Sequence, residues 1–271
     1  MSSRMKNSID PSLDNEQVQK LQDKPKSMIT VGKTQKPFLY FILKNAHTAG
    51  YSEVIILINE KDEFTQNYFT QNTIEGLNIT FAVQKIPKER SKPLGTADAL
   101  MQALDSNPGW LDKNFTVCNS DNIYSENVFK LLLRNPYPNS MIDYDRDSLR
   151  VEPSRVQAFS VITKNQNGFL TEIIEKPNEE QVAKAMDKNR RVGVSMNIFS
   201  LSAGQIYPYL NSCPIHTERN EKELPVAIKN MIKDHPEAIY AIPVSEEVPD
   251  LTYKEDIKIV EDQLIDQIDN Y

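Results

Sequence analysis

KPFLYFILKNAHTAGYSEVIILIN, residues 36–59, decides the fold. Phe38, Ile42, Leu43, Ala46 and Ala49 recur at the spacing of one helix face. Gly50 follows where such a helix ends, because glycine takes the left-handed conformation that closes a last turn. Glu53 to Asn59 encloses the aliphatic run Val54–Ile58 and reads as a strand.

The same alternation continues downstream. Leu77 to Gln84 is rich in residues that suit a pleated sheet, Ala97, Leu100, Met101 and Leu104 follow a helical pattern, and Phe115 to Cys118 reads as a third strand. Strands separated by helices imply right-handed crossovers and an α/β, doubly wound, mostly parallel sheet flanked by helices. Further strands are expected at Ala158 to Thr163, Phe169 to Ile174 and Val194 to Leu201, and helices near Glu223 to Lys233 and Lys254 to Gln267. Residues 1–27 are polar and lack an apolar period, as a flexible segment does. The whole chain, 1–271, is read as a single domain.

Bulk properties narrow the functional classes. With 31 basic and 38 acidic residues the net charge is −7, and no long Lys/Arg cluster offers a phosphate backbone a positive surface, so nucleic acid is not an expected partner. Val54–Ile58 falls far short of the roughly 20 apolar residues of a membrane span, so no membrane association is expected. Cys118 and Cys213 form no CxxC pair and only 3 histidines are present, which gives little support to a disulfide framework or zinc site and fits a reducing cytoplasm.

In an open α/β sheet, ligands sit beyond the carboxyl ends of the strands, so residues just after strands carry the candidate chemistry. In FTVCNSDN, Asp121 is placed to hold a hard cation through oxygen, although Asn119 to Asn122 are also turn formers. In KPLGTADAL, Gly95 opens a helix with Thr96 near its N-cap, where free N–H groups receive a phosphate or a base edge, or simply start the helix. In EIIEKP, Glu175 and Lys176 can grip a sugar hydroxyl and a phosphate together, or form a surface ion pair. Lys26 in DKPKSMITVG can point at a triphosphate or into solvent, and Asp250 in VPDLTYKED can cap a helix or be a second metal ligand. DYDRD (Asp143, Asp145, Asp147) and PIHTERNEKE read as solvated loops, the second with a possible role as a lid.

Taken in order, PKSMITVG, KPFLYFILKNAHTAGYSEVIILI, VQK, PLGTADAL, NSDNIYS, EIIEKP, VGVSMNIFSLS and VPDLTYKEDI resemble the sugar-phosphate nucleotidyltransferase family over most of the chain. The resemblance implies a Rossmann-like fold and transfer of a nucleoside monophosphate from a nucleoside triphosphate to a sugar phosphate, with Mg2+ as cofactor. By that resemblance Arg4 and Lys26 contact the phosphates, Gln84, Gly95 and Thr96 the nucleotide, Asp121 and Asp250 the magnesium, and Glu175, Lys176 and Asn197 the acceptor. Asp250 departs from the family's D-x-G-[TS] pattern, since it is followed by Leu251, Thr252 and Tyr253 and the glycine is missing. The glycine-rich loop that opens the family's pattern is matched only at its end, by Ser2-Ser3-Arg4, so a strand of about ten further residues is expected upstream of Met1. The base, the acceptor and the oligomeric state stay open. So do two alternatives: a cytidylyltransferase for a phosphorylated small alcohol such as phosphocholine, and a non-catalytic binding relative.

Overall fold

The computed structural model describes residues 25–31, 36–149, 159–251 and 256–263. Lys26–Met28 form one 3-10 turn, and Ile29, just after it, accepts a backbone bond of 2.9 Å from Phe38. β1 (Thr30–Val31) and β2 (Lys36–Pro37) pair antiparallel and lead into α1 (Phe38–Ala49). Pro37 precedes the first helical residue, and Gly50 ends the helix at φ 117°, its N–H donating to the carbonyls of Ala46 and His47.

β3 (Glu53–Asn59), α2 (Glu63–Gln71) and β4 (Asn78–Gln84) make a parallel crossover, paired in register from Glu53 opposite Asn78 to Asn59 opposite Gln84. Asp62 caps α2 by accepting from the Thr65 amide at 3.0 Å. Next come α3 (Thr96–Ser106), β5 (Asn114–Val117), α4 (Glu126–Arg134) and β6 (Ser140–Asp145). β7 (Ser160–Lys164), β8 (Leu170–Ile174), α5 (Glu179–Ala185), β9 (Gly193–Ser195) and β10 (Phe199–Ser202) follow. α6 (Ala203–Asn211), α7 (Leu224–Asp234), β11 (Tyr240–Val244) and α8 (Asp256–Gln263) complete the order.

β5, β10, β6, β9, β7 and β8 lie side by side in one sheet, with β11 also paired to β6. Successive side chains in this sheet enter different cores. Met141, Phe199 and Leu201 join α3, α6 and α7 on one face, while Ile142, Tyr144 and Ile198 join α1 and α4 on the other. The expected helix-flanked α/β sheet is therefore present. Its pairing is mixed: β3–β4 and β6–β11 are parallel, whereas β5–β10, β6–β10, β6–β9, β7–β9 and β7–β8 are antiparallel. The antiparallel share comes from the second half of the chain, where β7 and β8 form a hairpin and β9 and β10 return across β6.

Two sequence expectations change. Val194 to Leu201 is two strands, broken where Asn197 takes φ 55°. DYDRD is no solvated loop: Asp143 lies in β6 with no solvent exposure, ion-paired to Lys164 and, at 2.7 Å, to Arg191. Those partners come from β7 and the turn before β9, so charges that look solvated in sequence are neutralised across the sheet. No helix among the described residues is long and apolar enough to cross a membrane.

Among the described residues the β3–β4 pair is not hydrogen-bonded to the larger sheet. Between the outer edges of β3 and β5 lies a cavity of 520 Å³, covered by α1 and α4 on one side and by α3 on the other.

Candidate active site

The polar residues singled out by sequence gather around the carboxyl ends of β4, β5 and β8. Beyond β5, Asp121 and Asn122 run antiparallel to Asp250 and Leu251. Asn122 and Asp250 form a β-bridge, the Leu251 amide donates to the Asp121 carbonyl at 2.9 Å, and the Ile123 amide donates to the Pro249 carbonyl at 2.9 Å. Two carboxylates far apart in sequence are thus held on adjacent strands of backbone. The alternative role of Asp250 as a cap falls on a helix start near Tyr253 that lies outside the described residues.

Lys26 completes this group. Its Nζ is 3.3 Å from Asp121 Oδ2, and the two side chains keep 18% and 35% of their surface in contact with solvent. The pair is accessible, so an incoming anion can exchange with Asp121 for the ammonium, leaving the carboxylate to a cation. Among the described residues no group of three or more His, Cys, Asp and Glu side chains is arranged to hold a metal. A two-carboxylate site suits Mg2+, which takes one or two carboxylates, substrate phosphates and water in place of an all-protein cage.

A second group forms where β4 meets α3. Gln84 Nε2 donates to the Gly95 carbonyl and to Asp98 Oδ2, each at 3.0 Å, and Asp98 is buried. Gly95 is the N-cap of α3, with φ 116° and ψ −178°, a combination open essentially to glycine alone. A Cβ there would overlap the backbone of Lys222, which donates its amide to the Leu94 carbonyl at 2.6 Å. Thr96 is the first helical residue, next to the N-cap as expected. Its Oγ1 accepts from the Leu224 amide at 2.9 Å, tying the starts of α3 and α7 together.

Glu175, Lys176 and Asn197 are the acceptor candidates. Glu175 and Lys176 follow β8, and Lys176 is exposed with φ 46°, an uncommon conformation for a side chain without a local hydrogen-bonding group. The carboxylate of Glu175 is paired with Arg219 at 2.6 Å, not with its neighbour. Arg219 also grips the buried Glu223, just before α7. Burial lowers the Arg219 pKa, but the hydrogen bond that Arg219 donates to Glu223 and the charges of Glu175 and Glu223 outweigh it, so the net shift is upward. Asn197 lies with Thr96, Asn119, Ser120 and Leu224 along the wall of the cavity beside β5. Arg4 lies outside the described residues.

Sequence reading missed Arg219, Glu223 and Lys222 as members of the site. They belong to PIHTERNEKE, and their chain of contacts joins Glu175 on one wall to Gly95 and Thr96 on the other. The density of opposite charges in that segment was the available signal. Nothing in the sequence said which distant carboxylate Arg219 would meet.

A nucleotidyl transferase family profile matches residues 21–243. The chain belongs to the nucleotidyl transferase family. Within it, the chain is 26% identical over 211 residues to a low-salt glycan biosynthesis nucleotidyltransferase of Haloferax volcanii, covering 78% of this chain and 52% of that protein. It is 26% identical over 158 residues to a UTP–glucose-1-phosphate uridylyltransferase of the same organism, covering 58% of this chain and 59% of that protein. The chain spans about half the length of the curated relatives it matches. Among solved structures, a UDP-glucose pyrophosphorylase complexed with UDP-glucose aligns with a TM-score of 0.67 at 18% identity, over 91% of this chain and 92% of the other. HddC from Yersinia pseudotuberculosis aligns with a TM-score of 0.61 at 15% identity, over 89% and 91%. These likenesses establish the nucleotidyl transferase fold.

Proposed function

We propose that residues 1–271 act as one unit, in the cytoplasm, that transfers a nucleoside monophosphate from a nucleoside triphosphate to a sugar phosphate and releases pyrophosphate. The observation that carries this reading is the Lys26–Asp121 contact beside Asp250, a cation and two carboxylates at the carboxyl end of the sheet. The curated relatives with assigned acceptors join nucleotides to glucose 1-phosphate, which supports a sugar phosphate here. The unpaired thiols of Cys118 and Cys213 suit a reducing compartment.

In this reading an oxygen of the acceptor phosphate attacks the α-phosphorus in line. The new O–P bond forms as the bond to the bridging oxygen of the β-phosphate breaks, and pyrophosphate carries that electron pair away. The attacking oxygen is already ionised, so catalysis consists of positioning two anions and offsetting their charge. Lys26 turns from Asp121 to the triphosphate. Asp121 and Asp250 would hold Mg2+, which neutralises phosphate charge when bound. Gln84, Gly95 and Thr96 form the wall for the nucleotide, while Glu175, Lys176 and Asn197 orient the acceptor. Because Arg219 already occupies Glu175, acceptor binding requires Glu175 to share or exchange that partner.

Pyrophosphate release, measured over a panel of nucleoside triphosphates and acceptors that includes hexose 1-phosphates and phosphocholine, tests the proposal. Magnesium-dependent release with a sugar phosphate, lost in Asp121→Asn, supports it. Release with phosphocholine alone transfers the reading to a phosphorylated alcohol. No release with any pair, alongside intact nucleotide binding, makes the protein a non-catalytic relative.

A further inference from the structure

Asp250 reaches the site at the end of a stretch that has no helix or strand of its own. β11 ends at Val244, and residues 245–249 run without regular structure to the bridge at Asp250. Backbone pairing holds the far end of this stretch. The Leu251 amide donates to the Asp121 carbonyl and the Ile123 amide to the Pro249 carbonyl, but Pro249 has no N–H to return. Val248, 3% exposed, fixes how deep the stretch lies. An apolar contact has no direction, so it leaves the position of the stretch along the neighbouring backbone unset.

Glu246 supplies that constraint. It precedes Asp250 by four residues, and across the pair Ser125 and Asn127 flank Glu126, which is four residues beyond Asn122. The antiparallel register set by the Asn122–Asp250 bridge therefore continues to Glu246. Its Oε2 accepts from Ser125 Oγ at 2.5 Å, and its Oε1 accepts from Asn127 Nδ2 at 2.7 Å. Ser125 is also the N-cap of α4, its Oγ accepting from the Val128 amide at 3.1 Å. One half-buried carboxylate thus ties the stretch to the start of a helix, where the helix dipole favours negative charge. Two bonds to the two oxygens of one planar group fix orientation as well as position. Ser245 adds a longer contact to Asp145 Oδ2, at 3.4 Å. The segment from Asp121 to Ser125 therefore bears a candidate metal ligand at one end and this clamp at the other.

We propose that Glu246 is a positioning residue that sets the spacing of Asp121 and Asp250, and with it the divalent cation that the two carboxylates accept. The inference rests on the reading of those carboxylates as a magnesium site. Mg2+ demands near-ideal octahedral geometry at about 2.0–2.1 Å, whereas Ca2+ accepts looser arrangements at about 2.3–2.6 Å, so a slackened pair loses Mg2+ before Ca2+. Glu246 acts through the backbone of residues 247–250 and not by ligation.

Binding of Mn2+ with inorganic tripolyphosphate, followed by electron paramagnetic resonance and competed with Mg2+ or Ca2+, tests this without turnover. Tripolyphosphate stands in for the triphosphate of the donor. Glu246→Ala should weaken Mg2+ by about tenfold or more and Ca2+ by less than about threefold. Glu246→Gln should behave as the parent, because its amide oxygen accepts from Ser125 and, with the Asn127 amide turned over, its NH2 group donates to Asn127. Asn127→Ala cuts the clamp from the other side, at an exposed residue, and should lower the preference for Mg2+ even where Glu246→Ala does not fold. Hydrogen exchange gives a readout free of metal: the Ile123 and Leu251 amides should exchange faster in Glu246→Ala, with those of the β7–β8 hairpin unchanged. Equal losses of Mg2+ and Ca2+, or no loss, in Glu246→Ala and Asn127→Ala overturn the proposal and leave Glu246 a cap of α4. Equal losses in Glu246→Gln and Glu246→Ala overturn it as well, since charge and not placement would then govern the site. A parent chain that binds no Mn2+, or binds it unchanged in Asp121→Asn, overturns the magnesium reading itself. Binding lost in Asp121→Asn but kept in Glu246→Ala overturns the positioning role alone.

Discussion

Gly95→Ala tests how the two walls of the site are joined. Gly95 sits at φ 116° and ψ −178°, and holding any other residue there costs about 1–3 kcal/mol in backbone strain. The added methyl would also meet the Lys222 backbone, whose nitrogen is 2.8 Å from the ideal Cβ position. That obstacle is main chain and cannot rotate aside, so relief requires residues 219–223 to shift, at a further cost of about 1–3 kcal/mol. The combined loss is about 2–6 kcal/mol. Urea denaturation followed through Trp110, the single tryptophan, should show it as a lower midpoint. Gly109→Ala is the matched control, since its Cβ meets nothing within 4 Å and its φ is not positive. It should lie within about 1 kcal/mol of the parent. A Gly95→Ala chain as stable as Gly109→Ala would refute the reasoning, because the close approach of Lys222 would then impose no constraint.

Other perturbations follow from the same contacts. Asp143→Ala leaves Lys164 and Arg191 facing an empty site inside the sheet; because both cations keep some solvent contact, the loss in a denaturation experiment should fall near the low end of the roughly 3–5 kcal/mol typical of a broken buried pair. Tyr124 is buried and donates to the Met196 carbonyl at 2.7 Å, so Tyr124→Phe orphans that acceptor and should cost about 1–3 kcal/mol in the same assay. Burial, followed by the nearby Cys118 thiol, raises the Tyr124 pKa well above 10.0, and burial with the charge of Glu246 does the same for Tyr144. The fold therefore favours the neutral phenols, and their contribution is complete below the unfolded value of 10.0 and lost as pH rises beyond it. Ultraviolet titration should find these two tyrosines ionising only together with alkaline unfolding.

Local elements were legible where local chemistry fixes them. The helix from Phe38 to Ala49 and the strand from Glu53 to Asn59 agree with the sequence reading to the residue, because Gly50 supplies its own left-handed stop. β6 and β11 were not legible. Asp143 makes β6 look polar until Lys164 and Arg191 arrive from other elements, and Pro243 interrupts the pattern of β11. The break at Asn197 depends on β9 and β10 crossing β6 at different places, which no periodicity encodes. In the site, Asp121 was visible as a carboxylate after a strand and Asp250 as one before a helix, but their adjacency rests on the Asn122–Asp250 bridge. Arg219 lay hidden in a charged loop because its meaning depends on reaching Glu175.

The most direct test of the account is calorimetric titration of a nucleoside triphosphate into the protein, with and without magnesium, for the parent chain, Asp121→Asn, Asp250→Asn and Lys26→Ala. The account predicts that magnesium tightens binding in the parent and that either Asp→Asn change removes that gain, a loss of about tenfold or more in affinity. Lys26→Ala should weaken binding under both conditions, because the ammonium acts on the phosphates directly. Magnesium-dependent binding that survives unchanged in both Asp→Asn variants would contradict it and move the phosphate site away from the carboxyl end of β5.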